Sequence, residues 1–172
     1  MKSILTLLLA GLQIAVVSVH AADDVQMLPT RTKLDGSKSR EKGNTTVVQN
    51  EIAYDVKVTS KSFKELQNIT IKYNIYYENA QFGSKAEPEV KMAKGSHALP
   101  SLLTNKPVEF TTESVKLEKA SLDGNWYFSN GASGSARDKV VGLWFKAFDA
   151  EGNLVGEYAN PSSVKTKRTF QE

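Results

Sequence analysis

Every second residue between Ile69 and Tyr77 is large and apolar, and most residues between them are polar. Since side chains on a β-strand alternate between its two faces, this run predicts a strand with one apolar face. The same alternation recurs between Ile52 and Val58. An apolar sheet face must be covered by a second layer, so these strands predict a β-sandwich.

Turn signals divide the rest of the chain into short segments. The sequence therefore predicts seven to nine strands in an all-β, antiparallel β-sandwich of immunoglobulin-like type. The strongest strand patterns lie at 46–59, 66–78 and 140–148. The first two are joined by a short turn, which predicts that they run antiparallel. Because 140–148 is apolar on both faces, we expect a central strand that is covered on both sides.

Weaker patterns predict the remaining elements. In the first half these are a short first strand at 25–34 followed by a loop, an edge strand at 88–95 and an irregular stretch at 95–104. Region 108–117 is either one bulged strand or two strands, and an aromatic strand follows at 126–128. At the end of the chain we expect a hairpin loop at 149–153, a return strand at 154–158 and a last edge strand at 164–170. The sequence shows no internal repeat and predicts no long helix.

The N-terminus has the pattern of a signal peptide. Lys2 precedes an uncharged apolar stretch, and Val19 and Ala21 are small residues at the −3 and −1 positions of a cleavage site. We expect a signal peptide at 1–21, a polar segment with a possible first strand at 22–45 and the immunoglobulin-like domain at 46–172. The protein would then be exported to the periplasm, the outer membrane or the cell surface. An uncleaved anchor is the alternative, since about 18–20 apolar residues can span a bilayer.

Composition restricts how the exported chain is stabilised and what it binds. The sequence has no cysteine, so no disulfide contributes and stability must come from packing. Removing Lys2 from the 22 Lys and Arg leaves 21 against 19 Asp and Glu, a balance that requires neither nucleic acid nor acidic lipid as a partner. A cluster at Lys38, Arg40 and Lys42 is interpreted as a solvated loop, with a specific anionic contact as the alternative.

The sequence offers few groups for catalysis or metal binding. After cleavage His97 is the single histidine, and its Gly- and Pro-containing surroundings predict a surface loop rather than a catalytic base. Asp149, Glu151 and Asn153 share the spacing of calcium ligands, but the turn Gly and the bidentate Glu of that motif are missing. We therefore predict no catalytic residue, no metal and no cofactor. A hydrolase that uses two distant carboxylates is a further hypothesis.

Aromatic residues are the candidate binding residues. Trp126 and Tyr127 lie beside a flexible polar stretch that ends in Arg137. Tyr76 stands on the polar face of its strand, where we expect its ring edge to be free. Such rings can stack on sugars or anchor a protein partner. The other interpretation is a core strand, in which Trp126 and Phe128 both face inward and Tyr127 faces outward.

Several segments resemble a known family. They are 56–58, 66–77, Trp126-Tyr127, 139–149 and 160–163. Together they are similar to secreted immunoglobulin-like proteins of verrucomicrobial bacteria, of the kind encoded among type IV pilus-like genes in Akkermansia. The resemblance covers about residues 46–164. It implies an immunoglobulin-like fold, a cell-envelope location and a link to pilus function or host contact, and it brings no catalytic residues.

One departure from pilins shapes the hypothesis. A pilin keeps its apolar N-terminal helix, whereas here the cleavage pattern at Ala21 follows the apolar run. We therefore expect a non-enzymatic cell-envelope protein that acts by protein–protein contact, as a pilus-associated or adhesion component. Its partners would be envelope or pilus proteins, or a host-surface protein or glycan. The alternative is a carbohydrate-binding module that uses Trp126, Tyr127 or Tyr76.

Overall fold

The computed structural model describes residues 24–41 and 44–172, so the expected signal peptide lies outside the described residues. Within them the chain forms nine strands and one short helix. They are β1 (Val25–Glu41), β2 (Thr45–Ser60), β3 (Leu66–Asn79), β4 (Glu89–Leu102), β5 (Val108–Thr111), β6 (Val115–Leu122), β7 (Ser135–Arg137), β8 (Lys139–Phe148), β9 (Leu154–Asn160) and α1 (Val164–Lys167).

The strands form two antiparallel sheets. The first sheet has the order β1-β2-β6-β7, with β5 also paired to β2, and the second has the order β4-β3-β8-β9. The orders β1-β2-β6 and β4-β3-β8-β9 correspond to A-B-E and C′-C-F-G of an immunoglobulin-type sandwich. The predicted all-β, immunoglobulin-like architecture is thus confirmed.

The apolar faces of the two sheets form the core. Ile52, Val56 and Val58 of the first sheet are at most 1% exposed, and so are Ile75 and Phe145 of the second. Burying each such side chain contributes about 1.5–3 kcal/mol, which is the source of stability in a chain without disulfides. The alternation of apolar and polar residues predicted which side chains face inward, because all side chains on one face of a strand meet the same neighbouring sheet.

Two of the strongest strands do not pair with each other. β2 pairs with β1, β5 and β6, whereas β3 pairs with β4 and β8, so the two strands lie in different sheets. The turn at 61–65 carries the chain from one sheet to the other. A short connection allows either a hairpin or such a crossing, and both give the same alternation of apolar residues.

Two edge strands are longer than the sequence predicts. β1 continues to Glu41 past an irregularity between Lys33 and Asp35, and it pairs with β2 over nearly its full length. Its residues 35–41 are all exposed, so no apolar alternation marks them. β4 continues to Leu102 where an irregular stretch was predicted, and its position at the edge of the second sheet is confirmed.

Region 108–117 consists of two strands that lie end to end along β2. Between β5 and β6, the Thr112 amide donates to Tyr54 O at 2.9 Å, and the Tyr54 amide donates to Thr112 Oγ1 at 3.0 Å.

The hairpin at 149–153 is confirmed, because the Asp149 amide donates to Asn153 O at 3.0 Å.

The segment 164–172 is not the predicted edge strand. It forms α1 and then crosses the outer face of the second sheet, where the Tyr76 hydroxyl donates to Thr169 O at 2.8 Å and Phe170 packs edge-on against Trp144 at 5.2 Å. Asn74 is fully buried there, and with its amide oriented to suit its neighbours it accepts from the Gln171 amide at 2.7 Å. The expectation that 140–148 is covered on both faces is therefore confirmed.

Ending the chain after Arg168 should expose Trp144 and destabilise the second sheet. We expect a loss of about 1–3 kcal/mol, because apolar contacts and the hydrogen bonds of Asn74 and Tyr76 are removed. The emission of Trp144 should shift to the red in a Trp126→Phe background, where Trp144 is the remaining tryptophan of two. An unshifted emission spectrum would show that the segment does not cover Trp144.

Candidate binding surface

Three parts of the chain meet at one end of the sandwich. The first is 123–134 between β6 and β7, named here the aromatic loop; the second is the loop 80–88 between β3 and β4; the third is the region where β1 ends and β2 begins. Phe128 of the aromatic loop packs edge-on against Phe82 at 5.1 Å, and Arg40 Nε of β1 lies 3.0 Å from Asp123 Oδ2. These contacts hold the aromatic loop against both of the other parts.

The aromatic loop exposes two large rings. No strand forms at 126–128, contrary to the prediction, and Trp126 is 64% exposed and Tyr127 84% exposed. Gly124, with φ of 66°, turns the chain before them, and Phe128 is the half-buried residue that holds the stretch to the domain. The interpretation of Trp126 as a core residue is therefore wrong, and both rings are available for contact.

Backbone hydrogen bonds fix the loop at its base. The Leu122 amide donates to Gly134 O at 2.8 Å, and the Asp123 amide donates to Asn44 O at 2.7 Å. A loop fixed at both ends loses less conformational freedom when a ligand binds, so more of the contact energy appears as affinity.

The Asp123 carboxylate joins the aromatic loop to the first sheet. It accepts from Thr46 Oγ1 at 2.8 Å as well as from Arg40. The hydrogen bond from Thr46, followed by the interactions with Arg40 and Lys38, holds the pKa of Asp123 below its usual value despite partial desolvation. The group is therefore ionised at neutral pH.

The other two candidate residues have different surroundings. Arg137 is exposed on β7, opposite Lys119 of β6. Tyr76 is 4% exposed beneath the 164–172 segment, so the expectation of a free ring edge there is wrong. The alternating pattern placed Tyr76 on the polar face correctly, but no signal in β3 itself indicates that a distant segment covers that face.

His97 lies within β4 rather than in the predicted surface loop. Its ring stacks on Phe110 of β5 at 4.3 Å with an interplanar angle of 4°. The histidine therefore fills the edge of the sandwich between the two sheets.

Asp138 is a buried carboxylate that the sequence did not single out. It is 7% exposed, and its oxygens accept from the Ala80 and Glu118 amides at 2.9 Å each. It lines a cavity of about 240 Å³ at the end of β3. These hydrogen bonds tie the start of β8 to β6 and to the loop after β3.

The described residues hold no group of three or more His, Asp or Glu side chains placed to bind a metal ion. In the hairpin at 149–153, Asp149 Oδ1 accepts from the Glu151 and Asn153 amides at 3.0 and 2.7 Å.

Within the part of the chain that the structure describes, no helix has the length and apolar character needed to cross a membrane.

Comparisons with known proteins add a distant likeness. No protein-family model matches the chain, and no curated protein matches it either. The chain has a distant structural resemblance to a protein from Akkermansia muciniphila solved by crystallography, with 13% sequence identity and a TM-score of 0.33 over 86% of this chain and 77% of that one. The strand order of the two sheets and the exposed rings describe the class of this protein: an immunoglobulin-like β-sandwich with an exposed aromatic loop.

Proposed function

We propose that this protein is a non-enzymatic, exported cell-envelope protein that acts by protein–protein contact through the aromatic loop. The observation that carries the proposal is the exposure of Trp126 and Tyr127 on a loop whose base is fixed. Large aromatic side chains on a fixed support are typical anchors of protein interfaces.

The area available supports a protein partner. A Trp or Tyr buries about 150–250 Å² at an interface, and a standard interface buries about 800 Å² on each side. Trp126 and Tyr127 together would therefore supply about half of one side. Trp126 is 64% exposed and Tyr127 84% exposed, so the rings project from the surface instead of enclosing a small ligand.

A binding role also agrees with what the other polar groups do. The ring of His97 packs on Phe110, and Asp138 binds two backbone amides. The histidine and this buried carboxylate are thus engaged in structural contacts, which supports a binding role for the protein.

Export and the envelope location rest on the N-terminal pattern and on the family resemblance. Within that setting we propose a pilus-associated or adhesion component as the specific role. N-terminal sequencing of the exported protein tests the first step. A start near Ala22 supports release from the leader, and an intact N-terminus would support an anchored protein.

Removing the exposed rings should abolish partner binding while the fold stays intact. We expect the double variant Trp126→Ala/Tyr127→Ala to lose at least about 2 kcal/mol of binding energy, because interface anchors of these types are worth that much. Affinity capture from envelope extract, followed by titration of the captured protein, measures the loss. Phe63→Ala is the matched control, since Phe63 is 100% exposed in the turn at 61–65 at the opposite end of the sandwich. Equal capture by all three proteins would contradict the proposal.

A carbohydrate-binding module is the second candidate, because the same exposed rings could stack on sugars. Titration with mucin-type and plant glycans, followed by tryptophan fluorescence, separates the two functions. Saturable quenching that Trp126→Ala removes would favour the glycan ligand. Unchanged fluorescence beside retained protein capture favours the protein partner.

A further inference from the structure

Strand pairing in the first sheet brings distant cations into one row. Lys38 of β1 lies opposite Val48 of β2, Val48 lies opposite Lys119 of β6, and Lys119 lies opposite Arg137 of β7. Residues directly opposite each other on adjacent strands point to the same face of a sheet. Arg40 is two residues from Lys38 on β1 and shares that face. Lys38, Arg40, Lys119 and Arg137 are named the basic face.

The basic face is positively charged and largely uncompensated. All four side chains are exposed. Asp123 pairs with Arg40, and among the described residues no ion pair involves Lys38, Lys119 or Arg137. Four cations and one carboxylate leave a net charge of +3 on this part of the sheet.

Folding alone does not account for this arrangement. Like charges directly opposite each other on paired strands are destabilising, and Lys119 and Arg137 form such a pair. Charged residues on edge strands prevent unwanted strand pairing, which would explain Lys38 on β1 and Arg137 on β7. It does not explain Lys119, because β6 lies between β2 and β7.

The basic face adjoins the aromatic loop. The first residue of that loop, Asp123, binds Arg40 and Thr46, and Trp126 follows after at most about 11 Å of chain. An open cleft of about 550 Å³ at the foot of the loop is lined by Lys38, Ser39, Arg40, Thr46 and Asp123. One ligand could therefore contact the exposed rings and the cations together.

We propose that the basic face binds an acidic segment of the protein partner that the aromatic loop contacts. This inference rests on the proposed function and names the chemistry of the partner. The planar guanidinium of Arg137 can hold a carboxylate with two hydrogen bonds, and the lysines attract the acidic segment over a longer range. A polypeptide is favoured over an anionic polysaccharide because Trp, Tyr and Arg side chains together are the composition of protein-interface hot spots.

Poly-L-glutamate is the probe for the first experiment. The purified protein is titrated with it at about 50 mM salt, where exposed charges are weakly screened. We expect Lys119→Gln/Arg137→Gln to bind about tenfold more weakly than wild type, since charge steering of this kind changes association by at least that factor. The control is Lys57→Gln/Lys64→Gln, which removes the same charge from exposed positions elsewhere and should stay within about twofold of wild type.

Two results would overturn the inference. Equal weakening of both double variants would show that only net charge matters. Tighter binding of polygalacturonate than of poly-L-glutamate at equal charge concentration, lost in Lys119→Gln/Arg137→Gln, would assign the face to an anionic polysaccharide.

A single charge reversal tests the like-charge argument separately. Lys119→Glu places a carboxylate opposite Arg137, so we expect the urea midpoint of unfolding to rise while poly-L-glutamate binding falls. A lower midpoint would contradict the claim that Lys119 and Arg137 oppose each other. Circular dichroism of the folded variant shows whether the strands are retained.

The partner identified by affinity capture separates this inference from the proposed function. If Lys119→Gln/Arg137→Gln binds that partner as wild type does while Trp126→Ala/Tyr127→Ala does not, the acidic-segment inference fails and the binding function stands. If neither variant changes capture, both fail.

Discussion

Phe145→Ala should destabilise the protein by about 3–5 kcal/mol, the cost of truncating a fully buried Phe in a core that cannot collapse around the space. Phe145 is 0% exposed, stacks on Tyr73 at 5.4 Å and meets Tyr158 edge-on at 6.2 Å. Since a domain of this size has about 5–15 kcal/mol in total, the variant should be close to unfolding at room temperature. Urea unfolding followed by far-UV circular dichroism measures the change.

Phe63→Ala is the matched control, because it is the same substitution at a residue that is 100% exposed. We expect a change within about 0.5 kcal/mol there. A similar loss at both positions would mean that the two sheets do not close over Phe145 as described.

Asp138→Ala should be the second most damaging change, at about 2–4 kcal/mol. The substitution leaves the Ala80 and Glu118 amides without their acceptor in a region that is mostly shielded from water, and each unsatisfied group costs about 1–3 kcal/mol. The junction of β6, β8 and the loop after β3 should therefore loosen. Urea unfolding measures the stability, and amide hydrogen exchange at Ala80 and Glu118 measures the local effect.

Asp138→Asn provides the graded comparison. Its amide oxygen can still accept one of the two backbone hydrogen bonds, so the loss should be about half that of Asp138→Ala. If both variants are as stable as wild type, the carboxylate does not hold these elements together.

Residues that alternate between core and solvent made most of the fold predictable. Ile52, Val56, Ile71 and Ile75 are all buried, and their spacing alone indicated two apolar sheet faces. The position of 140–148 in the middle of a sheet followed from apolar residues on both of its faces. Local pattern was sufficient wherever one strand face meets the core.

The errors lie where neighbours along the chain do not decide the structure. Residues 35–41 form a strand without burial where a loop was predicted, and 164–172 covers the outer face of the second sheet where an edge strand was predicted. Each outcome is set by contacts between residues far apart in sequence. The burial of Asn74 and Tyr76 belongs to the same class, because a segment about 95 residues later supplies the cover.

The binding surface was only partly predictable for the same reason. Trp126 and Tyr127 were recognisable as candidates, and the Asp123-Gly124 and Asn130-Gly131 pairs on either side were a signal for an exposed loop instead of a strand. Lys38, Lys119 and Arg137 lie far apart in sequence, and only the register of four strands places them on one face.

Photo-crosslinking in the producing cells tests the central claim most directly. A benzophenone amino acid is introduced at position 127 in one strain and at position 63 in another, two exposed aromatic positions at opposite ends of the sandwich. The proposed function predicts a discrete protein adduct from position 127 and none from position 63. An adduct from position 63 alone, or no protein adduct from position 127, would contradict a protein contact through the aromatic loop.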